Sequence, residues 1–259
     1  MPNASLPPAT SAGPRSFRYY DLVMAGFVTV LLCSNLIGPG KTCVLNLPAD
    51  IVPKWTEGGL IWVAVLSFGA GNIFFPLSYI FGDVLTEVYG FAKARRVIWA
   101  GCFAMLFATV MAQVVIHLPV DPEESYNQKM QPALETLFGG TWRIVAASAV
   151  AFWVGDFANS YVLAKLKVMT KGKYLWTRTI GSTFVGQGLD SLIFYPLAFG
   201  GIWQNDTLVR IVVFNWIFKV MVEVVLTPAT YAVVGFLKRR EGVDHFDVGT
   251  NFTPFSLKD

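Results

Sequence analysis

Six stretches of this chain are each apolar for about twenty residues, and they constrain its fold more than any motif does. Residues 19–37, 59–82, 94–117, 142–164, 179–202 and 209–237 each reach the length that a helix needs to cross a bilayer core, about 20 residues. Of 259 residues, 54% are hydrophobic and 14% charged, against roughly 25% charged in a soluble domain. The mean hydropathy is +0.52. Lipid is the expected main solvent, and the expected fold is an all-α integral membrane protein, a bundle of six transmembrane helices. Residues 1–18 read as an N-terminal tail, 19–240 as the transmembrane domain and 241–259 as a C-terminal tail. The Pro/Ser/Ala-rich start, "MPNASLPPATSAGPRS", reads as disordered. It is not a signal peptide, because the apolar run after it is too long and no small-residue cleavage site comes next. No loop is long enough for a catalytic domain. The longest, roughly 118–141, is acidic and suits a short surface helix.

The basic residues set an orientation. Arg15 and Arg18 precede the first span. Lys93, Arg95 and Arg96 lie between the second and third, and Lys165, Lys167, Lys171, Lys173 and Arg178 between the fourth and fifth. Lys238, Arg239 and Arg240 come after the sixth. With six alternating spans all of these share one side, so both termini are expected in the cytoplasm. Lys41, Lys54, Lys129, Arg143 and Arg210 on the other side are diluted by acids.

Several function classes drop out. Residues 34–42, "SNLIGPGKT", end like a phosphate-binding loop, but the pattern requires Gly at the position of Asn35. An apolar stretch of helix length precedes the segment, and two prolines interrupt the residues after it, so neither the strand nor the helix of that motif is present. A net charge of +3 is too small to suggest nucleic acid. The three cysteines, Cys33, Cys43 and Cys102, show no metal spacing, and His117 and His245 build no metal cluster. No HExxH, GxSxG or Ser-Lys couple stands out. Neither an enzyme nor a cofactor is expected.

Polar residues interrupt the spans instead. Gln187, Asp190, Ser191 and Phe194 recur at i, i+3, i+4, i+7 and share one helix face. Asn215, Lys219, Glu223 and Thr227 recur every four residues. Asp156, Asn159 and Ser160 share a face of the fourth span; Asn72 lies near the middle of the second, with Asp83 and Glu87 at its inner end. An ionisable residue inside a span costs about 2.5–3.5 kcal/mol on insertion scales and marks a functional candidate. Structural readings compete: Lys219 and Glu223 as an i, i+4 ion pair, Asp83 and Glu87 meeting Arg95 and Arg96, Asn72 and Asn159 as interhelical glue. Asn72, Asp156, Asp190, Lys219 and Glu223 nevertheless all fall near one depth, which favours a solute site. Small residues such as Ser67, Gly69, Gly71, Gly186 and Gly188 read as close helix packing.

Four segments carry a family resemblance: "FFPLSYIFGDVLTEVYGFAKARRVIW" (74–99), "SN" near the end of the first span with Lys41 after it, "GSTFVGQGLDSLIF" (181–194) and "FKVMVEVVLTPATY" (218–231). Together they resemble the queuosine precursor transporters, once classed as vitamin uptake transporters, over about residues 20–240. The resemblance implies a multi-pass protein of a bacterial inner membrane that imports 7-cyano-7-deazaguanine and 7-aminomethyl-7-deazaguanine for the queuosine modification of tRNA. Asn35, Asp83, Asp190 and Lys219 match the family's polar pattern, whereas Asp156, Gln187 and Glu223 are less fixed in it. The size and helix count are also similar to substrate-binding subunits of energy-coupling-factor transporters. The alternative expectation is therefore such a subunit, working with an ATP-driven partner in vitamin or nucleobase import. A homo-oligomer is compatible with either.

A deazaguanine presents two donors on one edge, a carbonyl acceptor and a flat apolar face. Asp190, with Gln187 and Asn72, is expected to serve the polar edge, and Lys219 the carbonyl. Phe194, Tyr195, Phe75 and Trp216 are candidates for stacking. Asp156 or Glu223 suits an aminomethyl cation.

Overall fold

The computed structural model describes residues 17–37, 42–46, 65–69, 74–121, 123–139 and 142–256. Helix α1, Tyr20–Leu32, continues through a π-helical turn, Cys33–Ile37. Strands β1, Thr42–Asn46, and β2, Val65–Gly69, pair antiparallel with Thr42 opposite Gly69. Helix α2, Phe75–Val84, also runs into a π-helical turn, Leu85–Tyr89. Then come α3, Phe91–His117; α4, Ser125–Phe138; α5, Trp142–Met169; α6, Leu175–Phe199; and α7, Asn205–Glu241.

Five of the apolar stretches coincide with helices whose edges fall within a few residues of those expected. The stretch 59–82 does not: its described residues form β2 and then α2, which starts only at Phe75 with a proline in its first turn. The cause is local. Val65 and Phe68 are of residue types enriched in strands, and Gly69 would cost about 1 kcal/mol in a helix relative to Ala. Proline at a helix start costs no hydrogen bond. The acidic loop holds α4, which has no buried residue, as a surface helix should.

Helix α3 has the length and composition to cross a bilayer, 27 residues with a mean hydropathy of 1.9. At 1.5 Å per residue, α5, α6 and α7, with 28, 25 and 37 residues, also exceed a core about 30 Å thick. Apolar side chains are exposed along α7 and α3. Val209, Val213, Ile217, Met221, Val224 and Val225 of α7 are exposed, as are Phe103, Phe107, Val110 and Val114 of α3. Such faces suit acyl chains, not water.

Inside, Phe27 and Leu31 of α1 pack with Val84, Val88, Val97 and Leu237. Glycine brings α5 against α6: a Cβ added at Gly186 would lie 2.8 Å from Asn159 Cβ, and one at Gly155 3.1 Å from Asp190 Cβ. That close approach sets the polar residues of the two helices side by side.

At the end of the bundle where α1 begins and α7 stops, Glu87 is fully buried and surrounded by cations. Arg178 grips it with two bonds, Nη2 to Oε1 at 2.8 Å and Nε to Oε2 at 3.1 Å. Lys238 reaches Oε1 at 2.6 Å, and Lys167 donates to the Glu87 carbonyl at 2.6 Å. This corrects the expected meeting of Asp83 and Glu87 with Arg95 and Arg96. Arg95 turns instead to the segment after α7, donating to the carbonyls of Asn251 and Thr253 at 2.8 Å each. That segment folds back over the helix ends. Asp247 accepts from the Phe91 N–H and caps α3, and Phe252 packs on Phe91 with ring centroids 5.0 Å apart.

Asp244, in the same segment, bridges Lys167 at 2.6 Å and Lys238 at 2.8 Å. Partial burial pushes its carboxyl up, but the hydrogen bonds and charges of the two lysines outweigh this and hold it below the usual carboxylate range. A depressed carboxyl contributes stability above its unfolded pKa of about 4 and loses it as the pH falls through the folded value. Asp244→Asn is therefore expected to lower the thermal midpoint at neutral pH and to lower it progressively less as the pH falls below about 4. Thermal scans across that range check this; a constant difference between variant and parent would refute it.

Candidate functional site

The polar stripe of α7 meets the polar face of α6 at Lys219. Its Nζ donates to Asp190 Oδ2 at 2.6 Å and to Gln187 Oε1 at 3.1 Å. Asp190 and Gln187, three residues apart, can take one ammonium together because i and i+3 project side by side. The Tyr79 hydroxyl of α2 also donates to Gln187 Oε1. Three helices thus converge on one buried amide. The alternative pairing of Lys219 with Glu223 is not what forms. Lys219 crosses to Asp190, and Glu223, only 1% exposed, has neither carboxylate oxygen hydrogen-bonded among the described residues.

A second contact lies beside the first. Asn159 of α5 donates to Asp83 Oδ1 at 2.9 Å, while Asp83 Oδ2 and Asn159 Oδ1 have no partner among the described residues. Asp156 and Asn159 line a cleft together with Tyr79, Ser78, Gly82 and Phe27, and it has room for about one water molecule. Asp156 acts electrostatically with Asp190 and Lys219, as Asp83 does with Glu223.

Of the residues expected from sequence, the structure brings together Asp83, Asp156, Gln187, Asp190, Lys219 and Glu223. Asn35 lies apart, in the π-helical turn after α1. Its Nδ2 donates to the Leu31 carbonyl at 2.9 Å, and its Oδ1 accepts from Ser148 at 3.2 Å. Phe194 packs its ring on Tyr195, with centroids 5.0 Å apart, and on Phe199 at 6.0 Å. Trp216 is occupied by the Phe184 carbonyl, to which its Nε1 donates at 2.8 Å. Asn72, the side chain of Phe75 and residues 38–41 of "SNLIGPGKT" fall outside the described residues. Tyr79 is a site residue that the sequence reading misses, although it sits one helical turn before Asp83, a spacing that would flag it.

Long helices with apolar outer faces around a buried polar cluster suit a helical membrane protein. The chain belongs to the family described as "Putative vitamin uptake transporter", whose model matches residues 69–233. It is similar to a "Probable queuosine precursor transporter" of Bacillus subtilis (strain 168), 34% identical over 62% of this chain and 69% of the relative. A Haemophilus influenzae protein described in the same words is 23% identical over 73% of this chain and 78% of its own length. The "Queuosine precursor transporter" of Escherichia coli (strain K12) is 24% identical over 66% of this chain and 76% of its own. No solved structure matches the chain. The protein is accordingly a membrane transporter and not an enzyme, and none of these three descriptions mentions a coupling ATPase.

Proposed function

We propose that the protein imports queuosine precursors, 7-cyano-7-deazaguanine and 7-aminomethyl-7-deazaguanine, for the queuosine modification of tRNA. It works in a bacterial inner membrane as a multi-pass bundle of six transmembrane helices with both termini in the cytoplasm. The observation that carries the reading is the buried edge formed by Asp190, Gln187 and Lys219, in which carboxylate, amide and ammonium lie within hydrogen-bond reach of one another. A deazaguanine offers the complementary set. Its N1–H and 2-amino group donate to Asp190, and its carbonyl accepts from Lys219 or Gln187. Asp156 and Glu223 receive an aminomethyl cation where the solute carries one, and Asn72 remains a candidate for the same edge. The cleft beside the cluster holds about one water, so α2 has to move off α5 and α6 to admit a flat bicyclic base. The descriptions of the three relatives support this substrate class.

The test is uptake of labelled 7-cyano-7-deazaguanine by the purified protein alone in liposomes. Saturable uptake, competed by the aminomethyl compound, is expected. Uptake no faster than into protein-free liposomes would sink the reading.

A further inference from the structure

Four carboxylates, Asp83, Asp156, Asp190 and Glu223, belong to the buried cluster, and its one ammonium among the described residues, Lys219, bonds to Asp190. Glu223 is 1% exposed and Asp83 fully buried. Three of their four carboxylate oxygens, together with Asn159 Oδ1, have no hydrogen-bond partner among the described residues. A carboxylate kept from water and from donors costs several kcal/mol unless positive charge answers it. Three other cations, Arg178, Lys167 and Lys238, gather on Glu87 one turn beyond Asp83. Among the described residues no three carboxylate, histidine or cysteine side chains converge as a metal cage.

We propose that Glu223, with Asp83 as its neighbour, binds a monovalent cation, a proton or a sodium ion, whose entry drives accumulation of the solute. The proposal rests on the transport reading above. Asn159 supplies the link: its Nδ2 holds Asp83, and the same side chain lines the solute cleft. A solute that draws on Asn159 changes the surroundings of Asp83, and with them the affinity of the cation site. Of the other ionisable groups, Tyr79 on α2 faces Glu223, and Asp156 on α5 and Glu87 face Asp83; Asp190 on α6 and Lys219 on α7 face Asp156 in turn.

The neutral cyano solute removes the solute's own ammonium as a source of the charge. Liposomes holding the purified protein are given an inward proton gradient, an inward sodium gradient or neither. One gradient is expected to raise accumulation at least ten-fold. Glu223→Gln should bring accumulation down to the gradient-free level. The gradient that acts names the cation. If neither gradient raises accumulation by the parent protein, or if Glu223→Gln keeps the response, the proposal is overturned. Should Glu223→Gln not fold, Asp83→Asn makes the same comparison. A parent that shows no solute exchange at all would refute the substrate reading instead. The cation site is then judged without solute: a thermal midpoint that depends on sodium or pH, and no longer does so in Glu223→Gln, upholds it, and a midpoint indifferent to both refutes it.

Discussion

Glu87→Gln is expected to destabilise the purified protein by about 3–5 kcal/mol, the range for removing one partner of a buried ion pair. Glu87 is fully buried and takes Arg178, Lys238 and Lys167 within 3.5 Å. Glutamine keeps the shape and loses the charge, so three cations are left crowded around a neutral amide. Asp244 stays as their one carboxylate among the described residues, half-exposed and shared between the two lysines. The penalty comes from those uncompensated charges and not from a lost favourable pair, because desolvation offsets much of the gain of burying both partners. The exposed pair Asp206–Arg210, 2.8 Å apart on one face of α7, is the control. Asp206→Asn there should leave the thermal midpoint unmoved, as exposed pairs contribute little. Equal midpoints for Glu87→Gln and the parent would show that the buried cluster does not hold these helix ends together.

Much of this architecture is legible in the sequence, for a physical reason. Long apolar helices in lipid carry their signal in composition, so the edges of α1, α3, α5, α6 and α7 can be read directly. The hairpin of β1 and β2 cannot, because a short apolar run looks the same whether it ends in a strand or a helix. Within the site, one-helix relations survive the passage from sequence to structure. Gln187 and Asp190 share a face and take the same lysine. Relations between helices do not. Nothing in the sequence pairs Arg178 with Glu87, 91 residues away, or Asn159 with Asp83. Those pairings depend on how closely helices approach, and at α5 and α6 that is decided by the absence of side chains at Gly155 and Gly186. Asn35 is expected at the site because it matches the family's polar pattern; in the structure its amide donates to the Leu31 carbonyl at 2.9 Å, a contact within one helix.

Asp190→Asn is expected to weaken solute binding ten- to a hundred-fold while leaving the protein in the membrane. Asparagine keeps the size but gives up the charge and half of the acceptor capacity offered to a two-donor edge. A hydrogen bond to a charged group contributes about 1.5–3 kcal/mol, which converts to that range of affinity. The structure sharpens a competing explanation, because Asp190 also neutralises Lys219 at 2.6 Å. If that is its only task, Asp190→Asn leaves a buried ammonium without its carboxylate, and the defect shows as poor folding. Adding Lys219→Met would then remove the stranded charge and restore both folding and uptake. If Asp190 and Lys219 instead face the solute's edge, the double variant folds and still fails to bind, because the groups that read the donors and the carbonyl are both gone. Equilibrium binding of labelled 7-cyano-7-deazaguanine, measured beside thermal midpoints for the two single variants and the double, separates the cases. Normal affinity in the double variant would remove both residues from the solute site and leave their bond as part of the helix packing.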